Sequence, residues 1–155
     1  MKACAFFGCS KGHYEQYKKI LRNILIDLIE KENVTQFYSG GRGAFDEFCS
    51  QVVGELRNKY PFIKNTLVIS YLPMGNEKKL QATKYTDSVY FLERSVPPRY
   101  AIVETNKEIV KHSDFIIVAT KYSFGGARKA REYAEKKEKQ IIDIERTCKK
   151  KPIVV

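Results

Sequence analysis

Short, continuously apolar runs alternate with longer segments in which apolar residues recur at helical spacing. The runs are KACAFFG (2–8), VTQFYS (34–39), NTLVISYLP (65–73), SDFIIVAT (113–120) and QIIDIE (140–145). Continuously apolar runs predict strands that are covered on both faces, and parallel strands need a crossover segment, usually a helix, between them. We therefore predict an α/β fold: a Rossmann-like three-layer sandwich with a mostly parallel sheet of about five or six strands.

The predicted helices fill the gaps between these runs, at residues 14–32, 44–60, 99–112 and 127–139. A length of 155 residues suits one domain with one core. Residues 74–98 contain Gly75, Pro97, Pro98 and only a short apolar piece, so we predict an irregular insertion or lid at about 74–98 within a single domain. The tail at 148–155 is typical of either a solvated end or an edge strand.

The chain is basic, with 28 Lys and Arg against 18 Asp and Glu and a formal net charge of +10. This balance favours anionic ligands or polyanionic partners. The basic run RKAREYAEKKEKQ (128–140) is interleaved with glutamates, however, and a helix face of mixed sign is usually only a solvated face. Nucleic acid is therefore an open alternative partner that the charge alone does not favour.

Several function classes are excluded by what the sequence lacks. No apolar span reaches the roughly 18 residues of a membrane helix, and the run at 3–7 is too short for a signal-peptide core. We therefore expect no membrane partner and a cytoplasmic location. The four cysteines form no CxxC pair and the chain has two histidines, so we predict free thiols, no metal site and no cofactor.

Glycine-containing turns follow three of the predicted strands: GCSKG (8–12), SGGRG (39–43) and YSFGG (122–126). Because the carboxyl ends of parallel strands meet at one edge of a sheet, we expect these turns to converge there. Glycine lets the backbone approach a ligand, and the helix starts that follow offer N–H groups to phosphate. The candidate ligand-binding residues in these turns are Gly8, Ser10, Lys11, Gly40, Gly41, Gly43, Gly125 and Gly126. The alternative is plain turn geometry, since neither GxGxxG nor a Walker pattern is present.

Other candidate side chains lie near these turns. Asp46, in the first turn of a predicted helix, either accepts a ribose hydroxyl or stabilises the helix dipole. Asn106 is predicted on the side of a helix that faces the sheet edge, where a buried amide needs a partner such as a ligand. Tyr122 either stacks on a base or packs in the core. Three aromatic residues of the insertion are candidates for a lid over a base: Tyr85, Tyr90 and Phe91.

The stretch FYSGGRGAFDEFCSQVVGELRNKYPFIKNTLVISYLP (37–73) resembles the glycine turn, helix and strand of the SLOG superfamily, the Rossmann-like domains related to the LOG and DprA proteins. A later segment is also similar, with a helix Asn, a Ser-Asp-Phe strand start and a Gly-Gly turn. Those residues are Asn106, Ser113-Asp114-Phe115 and Gly125-Gly126. The first turn departs from the family's Gly-His-Arg-like pattern, because Gly8-Cys9-Ser10 stands in its place.

The resemblance is to small bacterial SLOG members of unassigned function. It implies binding of a nucleotide or nucleotide-derived small molecule, often by a homo-oligomer. A related DNA-binding branch, DprA, keeps nucleic-acid binding as a second alternative.

The LOG enzymes, which remove the base from nucleoside 5′-monophosphates, resemble the chain only in part. Glu132 falls at the glutamate of their PGGxGTxxE motif, but Thr105-Asn106 stand where their Arg-Lys pair belongs. Arg128 and Lys129 replace the third glycine and the threonine of that motif. The chemistry needs a carboxylate beside the sugar and a cation at the phosphate. A LOG-like phosphoribohydrolase with Glu132 or Asp46 as the catalytic carboxylate is therefore the first alternative, and whether the protein is an enzyme stays open.

Overall fold

The computed structural model of the protein describes residues 1–71, 85–92, 95–120 and 125–146. Within these residues six strands form one sheet in which all neighbouring strands are parallel. The strands are β1 Lys2–Gly8, β2 Val34–Ser39, β3 Lys64–Val68, β4 Asp87–Val89, β5 Phe115–Ala119 and β6 Gln140–Asp143. Their order across the sheet is β4-β3-β2-β1-β5-β6. The predicted Rossmann-like fold is thus confirmed, with every strand pair parallel.

The strand order reverses at β1. The chain adds β2, β3 and β4 on one side of β1, and then returns to add β5 and β6 on the other side. In such a sheet the connections on the two sides run over opposite faces, so a crevice opens beyond the carboxyl ends of the strands at the switch point. These ends are Gly8 of β1, Ser39 of β2 and Ala119 of β5.

Helices cover both faces of the sheet: α1 Lys18–Lys31, α2 Ala44–Leu56, α3 Pro98–Lys111 and α4 Gly126–Lys136, with a short 3-10 turn at Glu15–Tyr17. In β1, Cys4 and Phe6 pack in the core beneath α1 and α2, whereas Ala5 and Phe7 pack beneath α3 and α4. Successive strand residues point to opposite faces, so a doubly covered strand must be apolar throughout. Among the described helices, none combines the length and the apolar character that crossing a membrane requires.

Several elements end earlier than the sequence patterns predict, and helix α2 and strand β3 differ most. Helix α2 ends at Leu56, and the N–H of Tyr60 donates to the Leu56 carbonyl at 2.8 Å in the turn that follows. Strand β3 ends at Val68, and Ser70 accepts a hydrogen bond from Arg42 in the turn after β2. Tyr60 and Ser70 stay buried although they lie beyond the ends of these elements.

The segment predicted as an insertion or lid contains, in its described part, the edge strand β4, which pairs with β3. The ring of Phe91 stacks on His112 with centroids 4.0 Å apart and contacts Tyr38 edge-on. The Tyr85 hydroxyl is hydrogen-bonded to Ser50 and to Ser39. None of the three predicted lid aromatics lines the cleft described below. The rest of the lid prediction falls on residues 72–84 and 93–94, and the tail prediction on 147–155, which lie outside the described residues.

Candidate functional site

A cleft of about 570 Å³ opens at the carboxyl edge of the sheet, beyond β1 and β2 and against the start of α4. This volume falls in the range of small-molecule pockets. All three glycine turns contribute to it. The predicted site residues that line the cleft are Gly8, Ser10, Lys11, Gly40, Gly43, Asp46, Asn106, Gly125 and Gly126. Their convergence follows from the parallel sheet, and their roles toward a ligand stay predictions.

Two of the described candidate residues do not line the cleft. Gly41, within the SGGRG turn, is exposed but is not part of the cleft wall. Glu132 is exposed on α4, pairs with Arg128 at 3.5 Å and lines a separate groove. Tyr122 lies outside the described residues. In the part of the chain that the structure describes, no group of three or more His, Cys, Asp or Glu side chains is placed to hold a metal ion.

Arg42, in the middle of the SGGRG turn, connects three elements around the cleft. Its Nη1 donates to Ser70 Oγ at 2.7 Å, just beyond β3, and its Nη2 donates to Asn106 Oδ1 at 3.0 Å on α3. Burial lowers the pKa of the guanidinium, and the nearby charge of Asp46 opposes that effect. The turn after β2 is thus tied to both neighbouring elements through one cation.

Asp46 lies in the first turn of α2 at the cleft wall. One carboxylate oxygen, Oδ2, accepts the backbone N–H of Arg42 at 3.0 Å. Loss of solvent raises the pKa of Asp46 to about 6, although the Arg42 N–H and the Arg42 charge both lower it. The side chain therefore loses its proton just below neutral pH and is an anionic acceptor at pH 7.

The start of α2 is filled by the protein itself. The N–H of Ala44 donates to the Ser10 carbonyl at 2.9 Å, and the N–H of Phe45 donates to the Cys9 carbonyl at 3.3 Å. A Cβ at Gly43 would lie 2.5 Å from Ser10 Cα. The loop after β1 therefore occupies the N–H groups that a phosphate would need at this helix start.

Packing explains the other glycines around this turn. Gly41 has φ +64° and donates its N–H to Ser39 Oγ at 3.2 Å, and a Cβ there would lie 2.6 Å from Leu67 Cδ1. A Cβ at Gly8 would lie 2.3 Å from the Phe45 ring. Substitution at either position requires neighbouring groups to move, whether or not a ligand binds.

The start of α4 is open by comparison. A Cβ at Gly125 would meet no described atom within 4 Å. The first N–H groups of an α-helix have no acceptor within the helix, and no described residue accepts a hydrogen bond from the backbone of Gly126 or Ala127. The first turn carries no acidic residue. This helix start therefore presents a positive end to the cleft, and none of the described residues covers it.

Asn106 connects the open helix start with the SGGRG turn. Its side chain is 7% exposed, and its Oδ1 accepts from Arg42. Its Nδ2 lies 3.6 Å from the position that a Cβ of Gly126 would take, and no described residue accepts a hydrogen bond from it. A buried amide with free donors at a helix start is suited to an anionic ligand.

Two of the solved structures with a similar arrangement of elements are DNA-processing proteins. DNA processing protein A (DprA) from Streptococcus pneumoniae superposes with a TM-score of 0.66 and 17% identity, over 92% of this chain and 50% of that chain. DprA from Helicobacter pylori, described for its single-stranded DNA binding mode, superposes with a TM-score of 0.63 and 17% identity, over 92% of this chain and 64% of that chain. The protein has a DprA-like fold. The chain spans only half to two thirds of these DprA chains.

The structural-genomics target TM1055 is also similar, with a TM-score of 0.54 and 16% identity over 91% of this chain and 72% of that one. No protein-family model matches the chain, and no curated protein matches it in sequence. The DprA-like fold confirms the resemblance on which the sequence prediction of a SLOG domain depends. At these identities the similarity concerns the fold alone.

Sequence reasoning missed two residues of the site, Arg42 and Ser70. Arg42 stands within SGGRG, and an arginine among small residues at a sheet edge is a signal that could have marked it as a structural cation. No sequence pattern marks Ser70 as a site residue, because its contact with Arg42 joins residues that follow different strands. Both contacts depend on the tertiary fold.

Proposed function

We propose that the protein binds a nucleotide or nucleotide-derived ligand in the cleft, with the anionic group of the ligand at the start of α4. The observation that carries the proposal is a combination of two features within the described residues: no atom lies within 4 Å of a Cβ at Gly125, and the buried Asn106 amide nitrogen has no hydrogen-bond acceptor. A helix start without an acidic residue stabilises a phosphate by its dipole and its free N–H groups.

The second end of the cleft suits a sugar. Asp46 is the carboxylate among the cleft-lining residues, and one of its oxygens already accepts the Arg42 N–H. An ionised carboxylate accepts several hydrogen bonds, so a ribose hydroxyl can donate to Asp46 beside that contact. Ile102, which also lines the cleft, offers an apolar surface for a base. The cleft therefore combines a donor-rich end, an acceptor and an apolar wall, which is the pattern a nucleotide needs.

A thermal-shift screen tests the proposal, because a ligand that binds only the folded state raises the melting temperature. The compounds are inorganic phosphate, adenosine, AMP, ADP, ADP-ribose and cyclic AMP. We expect phosphorylated compounds to raise the melting temperature more than adenosine does, and Gly125→Asp to abolish the difference. Equal shifts for AMP and adenosine, or no shift with any compound, would contradict the proposal.

Binding of single-stranded DNA is the second candidate. The chain carries a net charge of +10, and the similar DprA from H. pylori has a described single-stranded DNA binding mode. Exposed basic residues on α4 and just beyond it would supply the phosphate contacts: Arg128, Lys129, Lys136 and Lys137. Binding through phosphates weakens steeply with salt. Retention of a fluorescent oligonucleotide that falls with NaCl and with Lys136→Glu, but not with Gly125→Asp, would favour this candidate over the nucleotide cleft.

A phosphoribohydrolase reaction in this cleft would depend on Asp46 rather than Glu132. Glu132 is exposed, paired with Arg128 and directed to another groove, whereas Asp46 lines the cleft. Release of adenine from AMP, measured by chromatography and lost in Asp46→Asn, would support an enzyme. Adenine release that Glu132→Gln abolishes while Asp46→Asn retains it would assign the reaction to a different site. Homo-oligomer formation stays a prediction that sedimentation velocity would test.

A further inference from the structure

We propose that Arg42 is a positioning residue that acts through Asn106. It fixes the Asn106 amide with its oxygen toward the SGGRG turn and its NH₂ toward the start of α4, where the donors meet the anion of the ligand. This inference rests on the proposed function, because the anion at α4 is part of that proposal.

The chemistry of the two side chains sets the orientation. A guanidinium has only donors, so the group that receives Arg42 Nη2 at 3.0 Å must be the amide oxygen of Asn106. The amide nitrogen then points away from Arg42, and it lies 3.6 Å from the Cβ position of Gly126. Ser70, itself buried, holds the other arm of the guanidinium at 2.7 Å. Two arms held at fixed angles make the planar Arg42 a rigid support.

A reversed amide would be costly at the Arg42 end and, when the anion is bound, at the α4 end. Its NH₂ would face the donors of Arg42, and its oxygen would face the anion at α4. Asn106 is 7% exposed, so water does not readily replace the lost hydrogen bonds. Without Arg42, the described contact that holds the amide oxygen away from α4 is lost, and part of the population would present an acceptor to the anion.

Arg42 also connects the two polar side chains of the cleft that the proposed ligand would contact. Arg42 donates its backbone N–H to Asp46 and its side chain to Asn106. A ligand group that is hydrogen-bonded to Asp46 and one that is hydrogen-bonded to Asn106 therefore both affect Arg42. We expect this arrangement to raise the affinity for a nucleotide, since its sugar can contact Asp46 while its phosphate contacts Asn106.

A double-mutant cycle distinguishes positioning from direct contact. AMP and inorganic phosphate affinities are measured by calorimetry for wild type, Arg42→Met, Asn106→Ala and the double variant. Arg42→Met alone should weaken AMP binding about tenfold, and it should add almost nothing in the Asn106→Ala background, since residues that act through one partner are not additive. Losses that multiply would show direct contact of Arg42 with the anion and would overturn the proposal.

A readout without ligand keeps the inference independent of the proposed function. In ¹⁵N spectra, the Asn106 side-chain amide, identified by its loss in Asn106→Ala, should give two well-separated signals in wild type. In Arg42→Met these signals should move toward the positions of solvated amides, whereas Arg57→Met should leave them unchanged. Arg57 is a matched control, because it is half-buried and bonded to the Ile63 carbonyl at the far end of α2. Melting curves confirm that each variant is folded.

The outcomes separate cleanly. Unchanged Asn106 signals in a folded Arg42→Met variant overturn the positioning role, even when wild type binds AMP. A wild type that binds neither AMP nor phosphate overturns the proposed function and the role toward an anion, while the amide signals still decide whether Arg42 orients Asn106.

Discussion

Two of the three glycine turns that border the cleft, SGGRG and the turn at Gly125-Gly126, have different surroundings. In SGGRG, Gly41 has a positive φ, Gly43 packs on the backbone of Ser10, and the helix start that follows donates to the loop after β1. At Gly125-Gly126, a Cβ on Gly125 would meet no described atom, and no described residue accepts from the first N–H groups of α4. The first turn is filled by the protein, whereas no described residue fills the second.

The difference teaches that glycine in a strand-to-helix turn has two physical causes. A glycine is needed where protein atoms leave no space for a Cβ, and a glycine is useful where a ligand must approach the backbone. Only the second cause predicts a binding site. The predictions below test the assignment of each turn to its cause, beginning with the largest expected effect.

Substitution of Gly43 should have the largest effect on stability. A Cβ at this position would lie 2.5 Å from Ser10 Cα, which is backbone and cannot rotate away. We expect Gly43→Ala to lower the free energy of unfolding by about 3 kcal/mol, measured by urea denaturation. The matched variant Gly125→Ala should change it by less than about 0.5 kcal/mol. Equal losses in both variants would remove the distinction between the turns.

Asp46 should make the stability of the filled turn depend on pH. Its folded-state pKa of about 6 is above the ordinary value of 3.8, so the folded state binds the proton more tightly. The contribution of proton binding by Asp46 to the free energy of unfolding is present in full below pH 4, and it is lost as the pH rises through 6. Asp46→Asn, which keeps an oxygen for the Arg42 N–H, should gain about 2 kcal/mol relative to wild type between pH 4 and pH 7.5. Parallel curves of unfolding free energy against pH would show that Asp46 is not desolvated.

A carboxylate placed in the open turn should weaken anion binding without loss of stability. Gly125→Asp adds a negative charge where the structure has space. We expect AMP affinity to fall about tenfold, equivalent to about 1.4 kcal/mol, with the melting temperature unchanged. Gly125→Ala separates charge from volume, and it should retain most of the affinity. AMP affinity that survives Gly125→Asp would place the anion elsewhere in the cleft.

The outer face of α4 should contribute least. Glu132 and Arg128 are both more than half exposed and lie 3.5 Å apart, and such surface pairs contribute about 0.5 kcal/mol or less. Glu132→Gln should therefore change the free energy of unfolding by no more than that amount. It should leave the affinity for AMP unchanged. A tenfold loss of AMP affinity in Glu132→Gln would connect this face with the ligand and would contradict the assignment of the site to the cleft.

The sequence was sufficient for the sheet because its signals are local. Phe6 and Phe7 are adjacent apolar residues that need opposite covered faces, and this predicts a parallel sheet with helices on both sides. Convergence of the glycine turns at one edge follows from that topology. The edge strand β4 was missed, because its three residues DSV are largely exposed and carry no apolar pattern.

The distinction between the two turns could not be predicted, because it depends on long-range contacts. Ser10 fills the start of α2 from a loop more than thirty positions earlier in the chain. Arg42 reaches Asn106 across a separation of 64 residues. Neither contact produces a periodic pattern in the sequence, since each joins single polar groups that only the tertiary fold brings together.

An NMR titration of ¹⁵N-labelled protein with AMP tests the central claim most directly, with adenosine as the control that lacks the phosphate. The account predicts that the largest AMP-specific shifts occur at the backbone amides of Gly125 and Gly126 and at the Asn106 side-chain amide, with smaller shifts at Gly40 and Gly41. Largest shifts at Gly40 and Gly41, or no difference between AMP and adenosine, would contradict it.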